Sequence, residues 1–280
     1  MSGFEHVICP VCQKPLTQIK QSLTCSTGHA FDVASKGYVN LLLSQDKNSK
    51  DPGDNKEMVH ARERFLNKGY YEPLAQGLCQ VLTQKVGQKK ARCILMDAGC
   101  GEGYYTHQIQ QSLTESSLSH KIYGVDISKE AIHLASGRNK QVQFLVASLF
   151  KLPFSSQSVD LIVNAFAPSC NREFKRVLKK DGFLITVIPG KKHLIELKSV
   201  LYDKPYENDE KEPDLISFIK EDQVHIEESI SINHSDDLID LLAMTPYSYR
   251  TPAEGIERLK KLNELNLTLE FIITIYSRHA

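Results

Sequence analysis

Short apolar runs alternate with stretches of helical periodicity between residues 93 and 188. Each run is followed by a segment in which apolar positions recur every three or four residues, which is the pattern of a strand and then a helix. The predicted strands cover residues 93–97, 122–126, 143–146, 160–164 and 182–188. This alternation predicts an α/β domain with a mainly parallel, doubly wound sheet.

Further elements are predicted on both sides of this region. Apolar spacing indicates helices over residues 56–67, 73–86, 105–113 and 252–262, and alternation indicates a last, antiparallel strand over residues 267–276. The polar run 44–55 contains Pro52 and Gly53, which is typical of a flexible linker or of a loop that faces a substrate.

A glycine-rich turn follows the first predicted strand of the sheet. Asp97 is followed by Gly99, Gly101 and Gly103, and Asp126 ends the next strand. Glycine lets the backbone approach a ligand closely, and an acidic residue at that position accepts hydrogen bonds from ribose hydroxyls. The carboxylate of Asp97 would repel a pyrophosphate but suits a cationic ligand. The loop therefore favours S-adenosylmethionine (SAM) over NAD.

Ordered motifs continue downstream of this loop. They are Val146-Ala147-Ser148, Leu152-Pro153-Phe154 and the segments 158–163, 172–178 and 181–187. Together with the loop, they resemble the class I SAM-dependent methyltransferases, which implies a Rossmann-like fold. In that arrangement Gly99, Gly101 and Gly103 would line the methionine part of SAM, Glu102 would lie in the turn, and Asp126 would bind the ribose. Asp97 would act on the loop or through water.

The amino-terminal region carries the spacing of a metal site. Cys9 and Cys12 form one pair and Cys25 and His29 another, separated by a short hairpin. Four such ligands predict a closed, tetrahedral and structural zinc centre. The alternatives are a disulfide pair or unpaired buried thiols, and seven cysteines is an odd count without a secretory pattern. The other cysteines are expected to be core thiols: Cys79, Cys93, Cys100 and Cys170.

Several stretches outside these motifs carry a more specific likeness. They are HAFDVASKGYVNLL (29–42), DPGD (51–54), ARERFL (61–66), GEGYYT (101–106) and HLIELK (193–198). Combined with the zinc pattern, they resemble the RlmA family of 23S rRNA guanine-N1 methyltransferases. The resemblance implies methyl transfer to a guanine in a hairpin of bacterial 23S rRNA, with Tyr71 and His193 contacting SAM, and a homodimer. The family modifies either of two nearby guanines, and both targets stay open.

Charge is the observation that fits an RNA enzyme least well. The chain has 34 basic and 34 acidic side chains, so RNA phosphates would need a local basic patch. Five lysines and three acidic residues occur in the first fifty positions, and the lysines are Lys14, Lys20, Lys36, Lys47 and Lys50. They form either an RNA-binding patch or an ordinary solvated surface. Residues 203–214 are acidic and are expected to form an exposed loop that avoids RNA.

Three functions remain as alternatives. The leading one is an rRNA methyltransferase. The second is a SAM-dependent methyltransferase of a small molecule with the ribbon as scaffold, which zero net charge favours. The third is a zinc-ribbon adaptor without activity, which the intact glycine loop and Asp126 disfavour. The absence of a signal sequence or apolar span predicts a cytoplasmic protein without membrane contact.

The chain is expected to divide into a zinc ribbon that recognises RNA (residues 1–43), a linker with a helical connection (44–72) and the methyltransferase domain (73–280). After the strand at 160–164 comes Phe166-Ala167-Pro168, where enzymes that methylate the amino group of adenine carry Asn-Pro-Pro-Tyr. Ala167 and Pro168 are expected to form the floor of the acceptor pocket. Phe166 either stacks on a flipped base or packs in the core. The sequence identifies no general base.

Overall fold

A computed structural model describes residues 3–47 and 52–279 of the chain. Lys50 and part of the predicted linker lie outside the described residues. Two β-sheets are present in the described parts. The small sheet has three antiparallel strands, β1 (Thr17–Ile19), β2 (Ser22–Thr24) and β3 (Ala30–Asp32). The large sheet contains β4 (Val39–Asn40), β5 (Cys93–Ala98), β6 (His120–Asp126), β7 (Gln143–Val146), β8 (Val159–Ala165), β9 (Leu178–Pro189), β10 (Phe218–Ile232) and β11 (Leu265–Arg278).

The large sheet has a topological switch point in its centre. Its strand order is β10, β11, β9, β8, β5, β6, β7, β4. The run from β4 to β9 is parallel, and β11 lies antiparallel to both β9 and β10. The chain moves from β5 outward through β6 and β7, and then returns to the other side of β5 with β8. In such sheets, ligands bind in the crevice beyond the carboxyl ends of the strands at this point.

Eight α-helices occur among the described residues, and they cover the two faces of the sheet unequally. They are α1 (Lys56–Asn67), α2 (Glu72–Gly87), α3 (Tyr104–Glu115), α4 (Lys129–Arg138), α5 (Asn171–Val177), α6 (Ile195–Leu201), α7 (Ser235–Ala243) and α8 (Ala253–Lys260). All except α5 contribute buried side chains to one apolar cluster on one face. Phe174 and Val177 of α5 belong to the cluster on the other face. None of the helices in residues 3–47 and 52–279 combines the length and apolar character needed to cross a membrane.

The ribbon packs on the face that has few helices. Phe4, Val7 and Leu23 are buried in the same apolar cluster as Tyr123 and Phe154 of the large domain. Residues 7 and 154 form an isolated antiparallel bridge, and the N–H of residue 8 donates to the carbonyl of residue 153 at 2.9 Å. Strand β4 pairs with β7 at the edge of the large sheet. The ribbon therefore covers apolar side chains on this face of the sheet, as the helices do on the other face.

The predicted α/β fold is confirmed, and each strand and helix predicted by sequence pattern is present, with ends that differ by a few residues. Residues 203–214 form a loop that is mostly exposed, as expected. Strand β10 was not predicted. Most of its side chains are exposed and many are charged, because it is an edge strand that covers little of the core. Such a strand lacks the apolar pattern on which the prediction rests.

Candidate functional site

Four side chains of the ribbon converge as the sequence predicts. The ligand atoms of Cys9, Cys12, Cys25 and His29 all lie within 4.8 Å of one another. Cys12 Sγ is 3.7 Å from Cys25 Sγ, and His29 Nδ1 is 3.4 Å from Cys25 Sγ. A tetrahedral zinc ion with Zn–S bonds of about 2.3 Å requires sulfur atoms roughly 3.8 Å apart. The donor set and its spacing therefore fit a zinc ion, and all seven cysteines are free of disulfides.

Thr27 completes the surroundings of this cluster, although the sequence did not single it out. Its hydroxyl oxygen lies 3.0 Å from Cys12 Sγ and 3.1 Å from Cys25 Sγ. The Thr27 hydroxyl is the main cause that lowers the pKa of the Cys25 thiol to about 5. The thiolate is the form that binds metal. The position of Thr27 between the two metal ligands Cys25 and His29 is the sequence signal that could have identified this residue.

The glycine-rich loop joins β5 to α3 at the carboxyl edge of the sheet. Gly99, Gly101 and Gly103 all have positive φ angles, which L side chains rarely adopt. A Cβ at Gly99 would lie 2.2 Å from the Cβ of Ala167, so the loop after β8 packs directly on the loop after β5. Gly103 faces α4 instead, where a Cβ would lie 2.8 Å from the Cβ of Ala135. Its role is to let α3 approach α4.

Asp126 is held beside this loop by backbone donors. Its Oδ2 accepts from the N–H of Gly101 at 2.9 Å, and its Oδ1 accepts from the N–H of Ser128 at 2.8 Å. Burial raises the pKa of Asp126, and the two backbone hydrogen bonds oppose that shift. The carboxylate keeps further lone pairs that can accept from ligand hydroxyls.

Two more acidic residues belong to the loop region. Asp97 is 2% exposed, its Oδ2 accepts from the Thr106 hydroxyl at 2.5 Å, and burial raises its pKa to about 7. Glu102 is also buried, and its carboxylate forms an ion pair with Arg138 of α4. Burial raises the pKa of Glu102, while the charge of Arg138 opposes the shift. The negative charge on the Asp97 carboxyl group, beside the glycine-rich loop, therefore changes with pH near neutrality.

Tyr71 and His193 meet although they lie 122 residues apart. Tyr71 precedes α2 and His193 follows β9, and the Tyr71 hydroxyl lies 3.2 Å from His193 Nε2. The backbone N–H of Glu270 donates to His193 Nδ1 at 3.3 Å. Burial lowers the pKa of His193 to about 3, so its ring is neutral at physiological pH.

One cavity of about 660 Å³ connects these groups at the carboxyl ends of the strands. Six of the seven predicted cofactor-binding residues line this cavity. The seventh, Gly103, is absent from the cavity lining formed by the described residues. The six are Tyr71, Gly99, Gly101, Glu102, Asp126 and His193. The volume lies within the range of small-molecule and cofactor sites. Beyond these residues, the phenol oxygen of Tyr105 is buried in the cavity wall without a hydrogen-bond partner among the described residues. The glycine cradle with the carboxylate of Asp126 beside it fits SAM.

The segment between the ribbon and α2 forms one wall of this cavity. Gly53, Asp54, Met58 and Arg62 line it, and the last two belong to α1. Arg62 Nη1 lies 2.6 Å from Asp54 Oδ2, and its Nη2 donates to the carbonyl of Met244 at 3.2 Å. The polar run before α1 thus faces the ligand site, which agrees with one of its two predicted roles.

Two exposed phenylalanines also line the cavity. Phe166 is 47% exposed and lies in a left-handed backbone conformation with φ of 55°. Phe150, which is 57% exposed, lines the same cavity. Asn164 fixes the turn after β8, because its side-chain amide donates to the carbonyl of Ala98 at 2.9 Å and its Oδ1 accepts from the hydroxyl of Ser169 at 2.8 Å. Phe166 is therefore not a core residue, and its positive φ is uncommon for a bulky side chain.

Comparison with known proteins agrees with this architecture. Residues 7–50 match the sequence model described as "RlmA, N-terminal", and residues 89–239 match the one described as "Methyltransferase domain". A relative from Streptomyces fradiae, named 23S rRNA (guanine(748)-N(1))-methyltransferase, is 30% identical over 278 residues, which cover 96% of both chains. The chain belongs to the RlmA family of methyltransferases.

Two further relatives carry provisional names of the same kind. The relative from Micromonospora griseorubida is 34% identical over 209 residues, covering 69% of this chain and 68% of its own. YxjB of Bacillus subtilis is 29% identical over 280 residues, covering 97% of each chain. The RlmA-family chain thus combines a zinc ribbon with a SAM-dependent methyltransferase domain, as the sequence predicted.

Pattern reasoning missed some residues of this RlmA-family site. Tyr105 lies in the first turn of α3, and Arg62 lies on the inner side of α1. Tyr105 follows the glycine loop by two positions, which is a local signal that could have identified it. Arg62 had no such signal, because its place over the cavity depends on how the connection folds back.

Proposed function

We propose that the protein transfers a methyl group from SAM to N1 of a guanine in a hairpin of bacterial 23S rRNA. The observation that carries this proposal is the single cavity in which the glycine loop and the exposed Phe166 face the same space. The names of the relatives from Bacillus subtilis and Streptomyces fradiae, which match nearly the whole chain, support the nucleotide and the reacting atom. The loop after β8 touches Gly99 directly, so donor and acceptor sites are contiguous.

We propose specific roles for the residues of the donor side. Gly99 and Gly101 line the methionine part of SAM and Asp126 binds the ribose. Tyr71 and His193 contact SAM, Glu102 contributes through the turn that its pairing with Arg138 fixes, and Gly103 acts by allowing the close approach of α3 and α4. The zinc ligands are Cys9, Cys12, Cys25 and His29, with His29 binding through Nδ1.

SAM supplies a methyl group on a positively charged sulfonium, so attack by guanine N1 is an in-line displacement that releases a neutral thioether. The N1 proton must leave the base for the product to be neutral. The protein contributes mainly by aligning the two reactants and excluding water. Met58 and Arg62 of α1 support such exclusion, since both side chains line the cavity.

On the acceptor side, we propose that Phe166 stacks on the target guanine and that Ala167 and Pro168 form the floor beneath it. The support is the exposed, left-handed placement of Phe166 next to the donor loop. A base that reacts at its Watson–Crick edge must leave its stack, and an aromatic side chain can replace the lost stacking.

The ribbon is proposed to contribute RNA recognition, and the chain to divide into the ribbon (1–43), the connection (44–72) and the methyltransferase domain (73–280). Lys14, Lys20 and Lys47 are exposed and available to phosphates. Lys36 is less exposed, and its Nζ donates to the carbonyl of His133 at 3.5 Å. A homodimer is proposed from the family resemblance, and light scattering should give twice the mass of one chain. We also propose a cytoplasmic location, where an rRNA substrate would be found.

The deciding experiment is transfer of a labelled methyl from SAM to unmodified 23S rRNA, followed by nuclease digestion and nucleoside mass spectrometry. We expect 1-methylguanosine, and mapping its position distinguishes the two neighbouring guanines. As a matched control, Asp126→Ala should lower SAM affinity and methyl transfer while zinc content stays unchanged. Normal SAM binding without label in RNA would contradict the rRNA proposal and favour a small-molecule acceptor.

A further inference from the structure

Methyl transfer to guanine N1 needs a group that accepts the N1 proton, and the ligand cavity offers a small set of such groups. Burial raises the pKa of the thiol and the phenols in the lining, so these groups hold their protons at neutral pH. A general base must also reach the proton that it removes, so it needs an accessible lone pair. The carboxylates and the imidazole that line the cavity among the described residues are Asp54, Asp97, Glu102, Asp126 and His193.

Four of these five groups are enclosed or already have partners. Asp97 and Glu102 are 2% and 1% exposed. Asp126 accepts from two backbone N–H groups and is the proposed ligand of the ribose. Both ring nitrogens of His193 have polar partners within the protein. These four groups therefore suit binding and structural roles better than proton transfer from an incoming base.

Asp54 is the carboxylate of the lining that stays accessible. Its side chain is 39% exposed, and its one polar partner among the described residues is Arg62, with 2.6 Å between Oδ2 and Nη1. The backbone around Asp54 is fixed, because its carbonyl oxygen lies 3.5 Å from Ser128 Oγ. Gly53 packs closely beside it, since a Cβ there would lie 3.0 Å from Ile127 Cγ2. The carboxylate is thus held at the cavity with one oxygen left for a ligand.

Arg62 is held beside this carboxylate by a separate contact. Its Nη2 donates to the carbonyl of Met244, the residue that ends α7, at 3.2 Å. These contacts engage at most two of the five N–H groups of the guanidinium. Nη1 also lies 3.7 Å from the position of a Cβ on Gly101, and the Cβ of Ala167 lies 2.2 Å from that of a Cβ on Gly99. The ion pair and the proposed floor of the acceptor pocket therefore border the same glycine-rich loop.

We propose that Asp54 is the general base that takes the N1 proton of the target guanine, and that Arg62 donates to its O6 atom. A carboxylate beside a guanidinium matches this edge of the base, where an N–H donor lies next to a carbonyl acceptor. The inference rests on the guanine N1 target of the proposed function.

The proton and electron pairs balance in this step. The N1–H bond breaks and its proton moves to the Asp54 carboxylate, while an N1 electron pair forms the bond to the methyl carbon. The pair of the broken carbon–sulfur bond stays on sulfur. Arg62 stabilises the negative charge that develops on O6 as the proton leaves. Asp54 then passes the proton to water.

The test compares Asp54→Asn with the unchanged chain in single-turnover methylation of the 23S rRNA hairpin. Asparagine keeps an oxygen that can accept from N1–H, but it cannot take the proton. We expect the rate to fall by roughly 100- to 10,000-fold. Calorimetry with S-adenosylhomocysteine and filter binding of the hairpin should give affinities like those of the unchanged chain. Arg62→Gln should also slow the transfer, by roughly 100- to 1,000-fold.

A second substrate separates loss of the base from a structural effect. In 8-azaguanine the N1 proton is more acidic than in guanine, so a hairpin with this base at the target position depends less on proton removal by the protein. It should narrow the difference in rate between Asp54→Asn and the unchanged chain. A displaced cavity wall would slow both substrates equally.

The matched control is Asp240→Asn. Asp240 pairs with Arg64 of α1 at 2.5 Å, and neither residue is in the cavity lining formed by the described residues. This variant should methylate both hairpins at the rates of the unchanged chain.

An unaltered rate in Asp54→Asn would overturn the inference, and so would a deficit of equal size on both hairpins. Weaker binding of S-adenosylhomocysteine by Asp54→Asn would also overturn it, and would assign the pair to the donor. Absence of 1-methylguanosine with the unchanged chain would instead contradict the proposed function, and this inference with it.

Discussion

Asp97 shows how one residue couples the loop to pH. Its pKa is raised from 3.8 to about 7 because the carboxyl group is buried. An acid with a raised pKa in the folded state favours folding below the unfolded value, and this contribution is lost as pH rises through the folded value. In the free protein, ionised Asp97 therefore reduces stability above about pH 7. A bound sulfonium should offset that cost, because its positive charge favours the carboxylate.

We predict that SAM affinity rises from pH 6 to pH 8 by up to about tenfold, with proton release on binding near pH 7. Calorimetry in two buffers of different ionisation enthalpy measures both quantities. Asp97→Asn should flatten this dependence, and it should raise the melting temperature of the free protein more at pH 8 than at pH 5. An unchanged pH dependence in Asp97→Asn would show that another group is responsible.

At the residue scale, the sequence predicted the groups whose chemistry is local. Asp126 ends a strand and Gly99 follows one, so strand prediction alone brings them to the same edge of the sheet. The donors that complete the cavity depend on burial and on partners far along the chain. The contacts of His193 with Tyr71 and Glu270 join residues from three distant parts of the chain. No pattern within a window of residues contains that information.

At the scale of elements, the loop after β8 is tied to the loop after β5. A methyl group at Gly99 cannot fit against the Cβ of Ala167, which would be 2.2 Å away. Gly99→Ala should therefore displace the segment from Phe166 to Pro168 as well as strain the loop. We predict that it weakens SAM binding by at least about tenfold and also raises the KM for RNA.

Phe166→Ala is the matching variant, since it removes the proposed stacking ring without touching Gly99. We expect a SAM affinity like that of the unchanged protein and an RNA affinity lowered by roughly 5- to 100-fold, as for loss of a stacked base. Calorimetry for SAM and a filter-binding assay for the hairpin separate the two effects. Equal RNA binding by Phe166→Ala would remove this residue from the acceptor site.

The elements themselves were predictable because strands and helices carry periodic apolar positions. Strand β10 is one of the elements that were not predicted, since Lys220, Glu221 and Asp222 lie on an edge strand that pairs with β11 alone among the described strands. Helix α7 and the two-residue strand β4 were not predicted either. The loop after β8 was located by sequence order, but its contact with Gly99 was not. Close approach of two loops is set by the strand order in the sheet, which residue patterns do not encode.

For the whole molecule, the ribbon is part of the core. Phe4, Val7 and Leu23 share an apolar cluster with Tyr123 and Phe154 of the sheet, on the face where α5 is the helix that contributes. The cysteine spacing predicts the metal ligands of the ribbon but not the surface against which their segment packs. Loss of the metal should therefore affect the large domain as well as the ribbon.

We predict that Cys12→Ser lowers zinc content and RNA methylation together. It should also lower the melting temperature of the whole chain by about 5 to 15 °C, in one transition, because the ribbon and the sheet share their buried surface. Scanning calorimetry with metal analysis tests this. Cys170→Ser is the matched control, since Cys170 is a half-buried thiol outside the metal cluster, and it should change none of these quantities. Two separate transitions in Cys12→Ser, with the upper one unchanged, would show that the ribbon and the sheet fold independently. In that case Cys12→Ser should bind little of an apolar dye. If the ribbon and the sheet share one core, loss of the metal should loosen the ribbon and expose the sheet face beneath it, and Cys12→Ser should bind the dye strongly.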